Sequence, residues 1–557
     1  MSRPTDLVEV YDSTLRDGAQ ARGINYSVDD KLLIAHKLDE LGVHYIEGGW
    51  PNRTNPGDLE FFVRAGKERW KNTRITAFGS THRAGGRAED DSNLAFLLDA
   101  ETDVVTIFGK TWDFHVREVL KCDLETNLRI IEGSVKHLLE RGRRVIYDAE
   151  HYFDGYAANR EYALATIRAA QEAGAQMIVL CDTNGGRLVS EVQRIIEDTK
   201  GVLTVPFGIH AHNDSGMAVA NSVVAIEAGA TQVQGVVNGF GERCGNANLC
   251  SIIPTLELKL GKTTVGRKRL AMLTEVSRFV AEVANIAHDH RQPYVGESAF
   301  AHKGGAHIDA MMKNPGAYEH VDPALVGNAR QYLLSQQAGT SAVVNKLERL
   351  LPGVDKRDPR VVALLEKVKR MEFEGYSFEA ADASFEILAM RELKLFAAPF
   401  EVISWRTINR FAAHGIADAE PNGLSALEAE AIVKVRVKDE VRHTVASGHG
   451  PVDALSRALR RALETDFPQL GEVRLNDYKV RDLSSRAGTA AKVRVLIESV
   501  DHATGELWGT LGVSESILEA SWEALVDSLC YKLMRDEERK KAVKKTPKKK
   551  AKVPAGR

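Results

Sequence analysis

Two short segments carry residue types that can do chemistry together. Near the N-terminus, Arg16 and Asp17 stand side by side in Tyr11-Asp-Ser-Thr-Leu-Arg-Asp-Gly-Ala-Gln20, directly after the apolar, β-prone run Leu7-Val-Glu-Val-Tyr11. A carboxylate at a strand end can hold a divalent metal, a guanidinium can hold a developing oxyanion, and Gly18 lets the backbone turn behind both. Far downstream lies His210-Ala-His212. In a strand, residues i and i+2 face the same side, so both imidazoles address one site. Two histidines and a carboxylate make a common divalent-metal face. Asn246, after Gly241-Glu-Arg-Cys-Gly245, offers a neutral oxygen beside them. A metal there can chelate a 2-oxo acid through its keto and carboxylate oxygens, with Arg16 holding the alkoxide or enolate oxygen. The plainer alternatives are two strand-end histidines in ordinary hydrogen bonds and an arginine in a surface ion pair. Glu150 either orients groups and activates water or forms a structural salt bridge. Thr183 and Asn184 either hydrogen-bond a substrate carboxylate or thioester, or cap the helix expected after them.

The elements that must position these residues alternate up to about residue 262. Strand-like runs fall at Val8–Tyr11, Tyr45–Glu47, Ile75–Phe78, Val104–Phe108, Val145–Tyr147, Met177–Leu180, Pro206–Ile209 and Gln232–Val237. Amphipathic stretches at 28–41, 58–70, 91–99, 124–140, 159–173, 188–198, 216–228 and 247–260 separate them. Eight strand–helix repeats are the count of a TIM barrel. An open doubly wound sheet needs fewer, and no Gly-x-Gly-x-x-Gly follows the first strand. Nearly every strand hands over to polar chemistry: Arg16-Asp17, Glu47-Gly-Gly-Trp50, Gly79-Ser-Thr81, Gly109-Lys110, Asp148-Ala-Glu150, Cys181-Asp-Thr-Asn184, His210-Ala-His212 and Asn238 to Asn246. Active sites of such barrels gather at the C-terminal ends of the strands, where all these clusters would meet.

Downstream the pattern changes. Residues 265–400 read as mostly helical, with an amphipathic Thr274–His288 followed by a Gly- and His-rich loop, Tyr294 to Gly305. From about 430 an α+β pattern appears. A strand at Ala431–Lys438 is broken by Gly448-His-Gly-Pro451, a helix covers Val452–Glu464, strands lie near 473–480, 491–500 and 507–513, and a helix closes at Ser521–Met534. Gly423 sits in a linker-like stretch. The expected division is a catalytic barrel at 1–265, helical linker subdomains at 266–400, an α+β domain at 401–536 and a disordered Lys-rich tail at 537–557.

Composition bounds the class. The chain of 557 residues has room for a large catalytic domain and at least one more. Its 44% hydrophobic and 27% charged content is ordinary for a globular protein, and no apolar run reaches membrane-spanning length. No signal-peptide h-region opens it, and five scattered cysteines lack zinc-ribbon spacing, so a reduced cytoplasmic protein is expected. Net charge is −3, yet ten Lys or Arg and no acid fall between Arg539 and Arg557, so the rest of the chain carries −13. An acidic body argues against a nucleic-acid-binding core and reads the tail as a solvated appendage.

Asp12-Ser-Thr-Leu-Arg-Asp-Gly-Ala-Gln20, His210-Ala-His-Asn-Asp214 and Gly239-Phe-Gly-Glu-Arg-Cys-Gly-Asn246 together resemble the metal-dependent TIM-barrel family of 2-isopropylmalate, homocitrate and citramalate synthases, with HMG-CoA lyase as a more distant relative. The resemblance extends through Phe300-Ala-His-Lys-Gly-Gly-Ala-His307 to a C-terminal regulatory dimer domain. Tyr45-Ile-Glu-Gly-Gly-Trp-Pro51, Val105-Thr-Ile-Phe-Gly-Lys110, Tyr147-Asp-Ala-Glu-His151 and Tyr318-Glu-His-Val-Asp322 are most similar to one branch, the (R)-citramalate synthases. The resemblance implies a Claisen condensation of acetyl-CoA with pyruvate, then thioester hydrolysis to (R)-citramalate and CoA, on a route to isoleucine. By position it implies Asp17, His210, His212 and Asn246 as ligands of Mn2+, Mg2+ or Zn2+, and Arg16 and Glu150 as catalytic. Thr183 then touches the oxo-acid carboxylate, with Asn184 beside it. His307 and Tyr318 assist acetyl-CoA chemistry, supplied in a homodimer by either chain. Isoleucine is the implied effector, expected around Gly448-His-Gly-Pro451 and Arg486-Ala-Gly-Thr489.

Two departures stand out. Asp148 occupies a position where another branch places an aromatic contact to pyruvate. Ser335-Gln-Gln-Ala-Gly-Thr-Ser341 keeps only loosely the small polar motif that follows the linker helices. The competing readings are a 2-isopropylmalate or homocitrate synthase, a lyase of the same barrel, and a non-catalytic scaffold with a binding tail. One methyl branch shifts binding by only about 1–3 kcal/mol, so the ligand set separates the synthases poorly. A 2-oxoglutarate enzyme needs a base for the distal carboxylate, for which Lys110 and His151 are the candidates.

Overall fold

The computed structural model describes residues 6–333, 340–348, 350–355, 357–411, 427–483 and 491–545. Gly423, most of Ser335–Ser341, Arg486-Ala-Gly-Thr489 and the tail beyond Lys545 lie outside the described residues. The chain forms two compact units, one of residues up to Ala301 with Glu319–Gln331, the other of His302–Tyr318 with the residues from Tyr332 onward.

The first unit is a closed barrel of eight parallel strands, β1 (Glu9–Asp12), β2 (Tyr45–Gly49), β3 (Arg74–Ser80), β4 (Val104–Lys110), β5 (Arg144–Glu150), β6 (Met177–Asp182), β7 (Phe207–Ala211) and β8 (Gln232–Gly235). All eight expected strands are present. β8 closes the ring by pairing with β1 on one side and β7 on the other. Tyr11, Tyr45, Val104, Ile146, Met177, Val179 and Cys181 fill the interior. The outer layer packs helix stripes against the strands. In helix Val28–Leu41, Ile34, Ala35, Leu38 and Leu41 are fully buried. Each such leucine or isoleucine contributes roughly 1.5–3 kcal/mol relative to exposure. Local chemistry sets the helix ends. Ser27 and Asp30 form a capping box, and Gly42, at φ +88°, ends the helix in a left-handed turn. Asp91 and Asp123 cap the helices Ser92–Asp99 and Leu124–Glu140.

Two insertions at the strand ends have no counterpart in the periodicity. A short turn at Asp113–His115 runs into a π-helical turn at Val116–Leu120, and helix Tyr152–Ala158 follows β5 through His151, a non-glycine residue at φ +55°. Both are too short for a helical repeat to register in sequence.

The second unit carries helices Gly305–Lys313, Thr340–Leu347, Pro359–Phe373 and Asp382–Glu392, then two three-stranded antiparallel sheets. The first sheet runs Glu401–Phe411, Leu427–Val437 and Glu440–Gly448. Its buried Ala431, Val433 and Val435 cluster with Leu455 and Leu459 of helix Pro451–Leu463. The second sheet runs Val473–Asp482, Val493–Asp501 and Glu506–Ser514, with Val495 and Ile497 against Ala520 and Leu525 of the last helix. Two strands had not been expected, Glu401–Phe411 and Glu440–Gly448. The last helix runs from Ile517 to Lys545, so the tail expected to be disordered from 537 is helical in its described part. Its Lys532, Arg535 and Arg539 pair with Asp501 and Glu506 of the sheet, which holds the helix past the apolar stretch.

Candidate active site

The strand period places the two histidines as the spacing requires. His210 closes on β7 and His212 follows it, and their Nε2 atoms face each other at 3.3 Å. Asp17 approaches from the other end of the sequence because β1 and β7 both border β8. Its Oδ2 lies 3.5 Å from His210 Nε2 and 3.9 Å from His212 Nε2. All three side chains are buried. Among the described residues, they are the group of His, Cys, Asp and Glu whose ligand atoms all lie within 4.8 Å of one another.

The charges of the cluster are strongly coupled. Burial alone would raise the Asp17 carboxyl, but Arg16 and the two imidazoles outweigh it and hold Asp17 well below the usual carboxylate range. Burial and the neighbouring His210 push His212 down to about 3, which favours its neutral form. Burial opposes a charge on His210, yet its hydrogen bond and attraction to Asp17 raise it.

The donor set fits a divalent cation. Two inward imidazole nitrogens and one carboxylate oxygen make the mixed face that such ions take. Asn246 bridges His212 through the backbone, and its Oδ1 is buried with no hydrogen-bond partner among the described residues. A buried neutral oxygen without a donor is costly unless something binds it. Gly245, at φ +86°, makes the turn that sets Asn246 there, and a Cβ on it would lie 2.0 Å from the Gly239 carbonyl oxygen. Gly18 acts otherwise than expected, through close packing: a Cβ there would sit 2.8 Å from Val236.

Arg16 is largely enclosed, with its side chain 12% exposed, and is not half of a surface pair. Its Nε donates to Glu47 Oε2 at 2.8 Å, Nη1 lies 3.2 Å from Asp17 Oδ2, and the guanidinium carbon sits 3.7 Å from the Phe78 ring centre. Glu47 is fully buried and also accepts from Tyr11 Oη at 2.8 Å and from Ser13 Oγ. It thereby aims the guanidinium. Phe78 belongs to an aromatic wall. Trp50 meets Phe78 and Phe108 edge-on at 5.8 and 5.5 Å, and Phe78 stacks on Phe108 at 5.5 Å.

The other expected residues divide. Glu150 ends β5 in an ion pair with Lys110. Neither Thr183 nor Asn184 caps the helix Val189–Thr199, which starts at Leu188. Thr183 Oγ1 accepts from the His151 amide at 2.8 Å, and Asn184 Nδ2 donates to Asp154 Oδ2 at 2.8 Å. Arg243 ties this loop to its neighbours, bonding the Thr183 carbonyl at 2.8 Å and Asp214 at 2.8 Å. His307 and Tyr318 belong to the second unit, where their rings stack at 4.3 Å. Residues that spacing did not single out include Gln234, Phe78 and Phe108, and Glu47 was read only as part of a strand-end cluster, without a role. Their signal was weak, since each is one inward position in an alternating strand.

The chain matches the family model HMGL-like over residues 7–280, homocitrate synthase post-HMGL domain-like over 294–375, and LeuA allosteric (dimerisation) domain over 379–533. It is 51% identical to the (R)-citramalate synthase of Geobacter sulfurreducens, covering 96% of this chain and 98% of that one. Identity to the (R)-citramalate synthase of Aquifex aeolicus is 50%, over 96% and 99%. A probable 2-isopropylmalate synthase of Methanopyrus kandleri is 33% identical, over 94% and 97%. No helix among the described residues is long and apolar enough to cross a membrane.

Proposed function

We propose, for a chain that belongs to the HMGL-like family and within it to the (R)-citramalate synthases, a division of labour around the acetyl-CoA and pyruvate condensation. The reaction is an acyl transfer in which the acetyl group becomes an alkyl group, and it forms (R)-citramalate and CoA. The observation that carries the assignment of roles is the buried convergence of Asp17, His210 and His212 beside Arg16.

Asp17, His210 and His212, with Asn246 as a neutral oxygen, would hold a divalent cation, which would supply Lewis-acid polarisation of the pyruvate keto group. Arg16, aimed by Glu47, offers its outer N–H groups to the oxygen on C2 as charge collects there. The acetyl methyl gives up a proton, its enolate carbon bonds to C2, and the alkoxide takes a proton. Water then cleaves the thioester and releases CoA. Glu150 orients that water. Thr183 and Asn184 address the oxo-acid carboxylate. His307 and Tyr318, stacked as a pair, serve the acetyl-CoA proton transfers. The ion is Mn2+, Mg2+ or Zn2+.

Pyruvate fits the surroundings better than a larger acid. Lys110 and His151, the two candidates for meeting a distal carboxylate, are engaged by Glu150 and Asp154. The Trp50, Phe78 and Phe108 wall leaves an apolar flank against Arg16, suited to a methyl group. In this reading residues 1–265 are the catalytic barrel, 266–400 the linker subdomains, and 401–536 a dimerising domain that answers to isoleucine in a cytoplasmic homodimer. Residues 537–557 form a basic appendage.

The test is CoA release from acetyl-CoA with a panel of 2-oxo acids, with and without added divalent metal. Pyruvate is expected to give the largest kcat/KM, and chelation to abolish turnover. A preference for 3-methyl-2-oxobutanoate or 2-oxoglutarate would overturn the substrate, and full activity after chelation would overturn the metal. Isoleucine in the same assay tests the effector.

A further inference from the structure

One buried side chain at the site is so far without a role. Gln234 on β8 is 1% exposed and lies in register with His210 on β7, so both face the barrel interior. Its Oε1 is 2.9 Å from His210 Nδ1, and its Nε2 donates to Asp148 Oδ1 on β5 at 3.1 Å. An unbroken chain of hydrogen bonds therefore crosses the barrel from Asp148 through Gln234 to His210.

The direction of that chain matters. A primary amide has one donating end and one accepting end. Asp148 takes the donating end, which leaves the oxygen for His210. An amide oxygen only accepts, so His210 Nδ1 must carry a hydrogen. The lone pair available for a cation is then at Nε2, the nitrogen that faces His212 and Asp17. With the amide reversed, Nδ1 would accept and Nε2 would keep its hydrogen, closing the site. Asp148 is thus turned to Gln234.

We propose that Gln234, oriented by Asp148, is a positioning residue that fixes the tautomer and ring angle of His210 and so sets the affinity of the site for a divalent cation. This rests on the reading of Asp17, His210 and His212 as the metal face. Outer partners of this kind are worth about 10–100-fold in metal affinity.

The experiment is Mn2+ binding to the full-length protein, followed by electron paramagnetic resonance of the free ion. Gln234→Leu removes the acceptor at nearly constant size and is expected to weaken binding by about 10–100-fold. Gln234→Glu keeps an acceptor toward Nδ1 and is expected to stay within a few-fold of the native protein; a purely space-filling role would not separate these two variants of nearly equal size. Asp148→Asn lets the amide turn either way and is expected to fall between the two. Melting of each metal-free variant separates lost fold from lost affinity. Should Gln234→Leu not fold, Asp148→Asn and nitrogen NMR of the native histidines decide the matter, with hydrogen on Nδ1 of His210 expected. Native affinity in both Gln234→Leu and Asp148→Asn, or hydrogen on Nε2 in the metal-loaded protein, would overturn the relay alone. His210→Ala is the control: if it binds Mn2+ like the native protein, the metal face itself is wrong.

Discussion

Two clusters at the strand ends of the barrel have the same composition, two histidines and an aspartate, and opposite character. In Asp17, His210 and His212 the two Nε2 atoms and a carboxylate oxygen converge on one point. In His115, His151 and Asp154 the rings meet edge-on, with centres 4.3 Å apart and planes at 66°. His151 Nδ1 turns instead to Asp154 Oδ2 at 3.3 Å. That carboxylate also accepts from Asn184 at 2.8 Å and from Arg187 at 2.5 Å, so its lone pairs are taken by protein donors. The first pair of histidines is aimed by a strand, which repeats direction every second residue. The second pair sits on a short turn and on a left-handed junction, which aim their side chains independently. Direction of the side chains, and not residue type, separates the proposed metal face from a packed polar cluster.

The largest expected difference between the clusters is in turnover. Asp17→Ala removes a proposed metal ligand and unbalances two imidazoles, so on that proposal citramalate formation should fall by roughly 10^3-fold or more, with loss of bound metal. His115→Ala should leave kcat/KM within a few-fold. Equal losses in the two variants, measured by CoA release and metal analysis, would erase the distinction. Next comes Arg16, the group proposed to steady the oxyanion. Arg16→Lys keeps the charge but loses the fork held by Glu47, and kcat should drop by about 10^2–10^3-fold. Glu47→Gln keeps an acceptor for Arg16 and should cost less. A larger loss for Glu47→Gln than for Arg16→Lys would make Glu47 a participant in the chemistry and not the support of Arg16.

The same contrast explains what was legible in the sequence. His210-Ala-His212 announced a shared face because the strand period is two, and the eight strands were readable because buried parallel strands are short apolar runs between helical repeats. Asp17 became a neighbour only through the closure of the ring, which the count of repeats implied. Glu47 was legible only as a strand-end polar residue and Gln234 not at all: each owes its role to partners elsewhere in the barrel, Arg16 and Tyr11 for one, His210 and Asp148 for the other. The helix Tyr152–Ala158 and the turn at Asp113–His115, which carry the second cluster, are too short to be periodic. In the second unit, Glu440–Gly448 went unread because its outward positions mix Val441 and Val445 with His443 and Ser447, blurring the alternation.

A smaller effect should show in stability and not in turnover. Asp154 collects His151, Asn184 and Arg187 at a buried point. Asp154→Asn replaces one acceptor oxygen with a donor facing donors, and should lower unfolding free energy by about 1–3 kcal/mol. Denaturant melts read the stability, and activity per folded molecule reads the chemistry. Loss of turnover at unchanged stability would move this cluster into the active site and undo the contrast with Asp17.

The smallest effect is a pH slope. Burial first, and then the nearby His151 and Lys110, lower the pKa of His115, against the opposing pull of Glu150 and Asp154. The folded protein therefore binds a proton at His115 less readily than the unfolded chain, whose histidines titrate near about 6.5. A state that binds fewer protons loses ground as pH falls, so this contribution to stability is complete above the unfolded value and declines below it. Asp154, held low in spite of burial by His151 and Arg187, stays ionised through the same interval and adds no slope there. Metal-saturated protein should accordingly melt lower at pH 5.5 than at pH 7.5. His115→Gln should flatten that slope while leaving the pH dependence of turnover as it was. If His115→Gln instead shifts the pH–rate profile and leaves the melting slope unchanged, the two clusters share one chemistry after all, and the edge-on histidine pair has to be placed on the path of a proton.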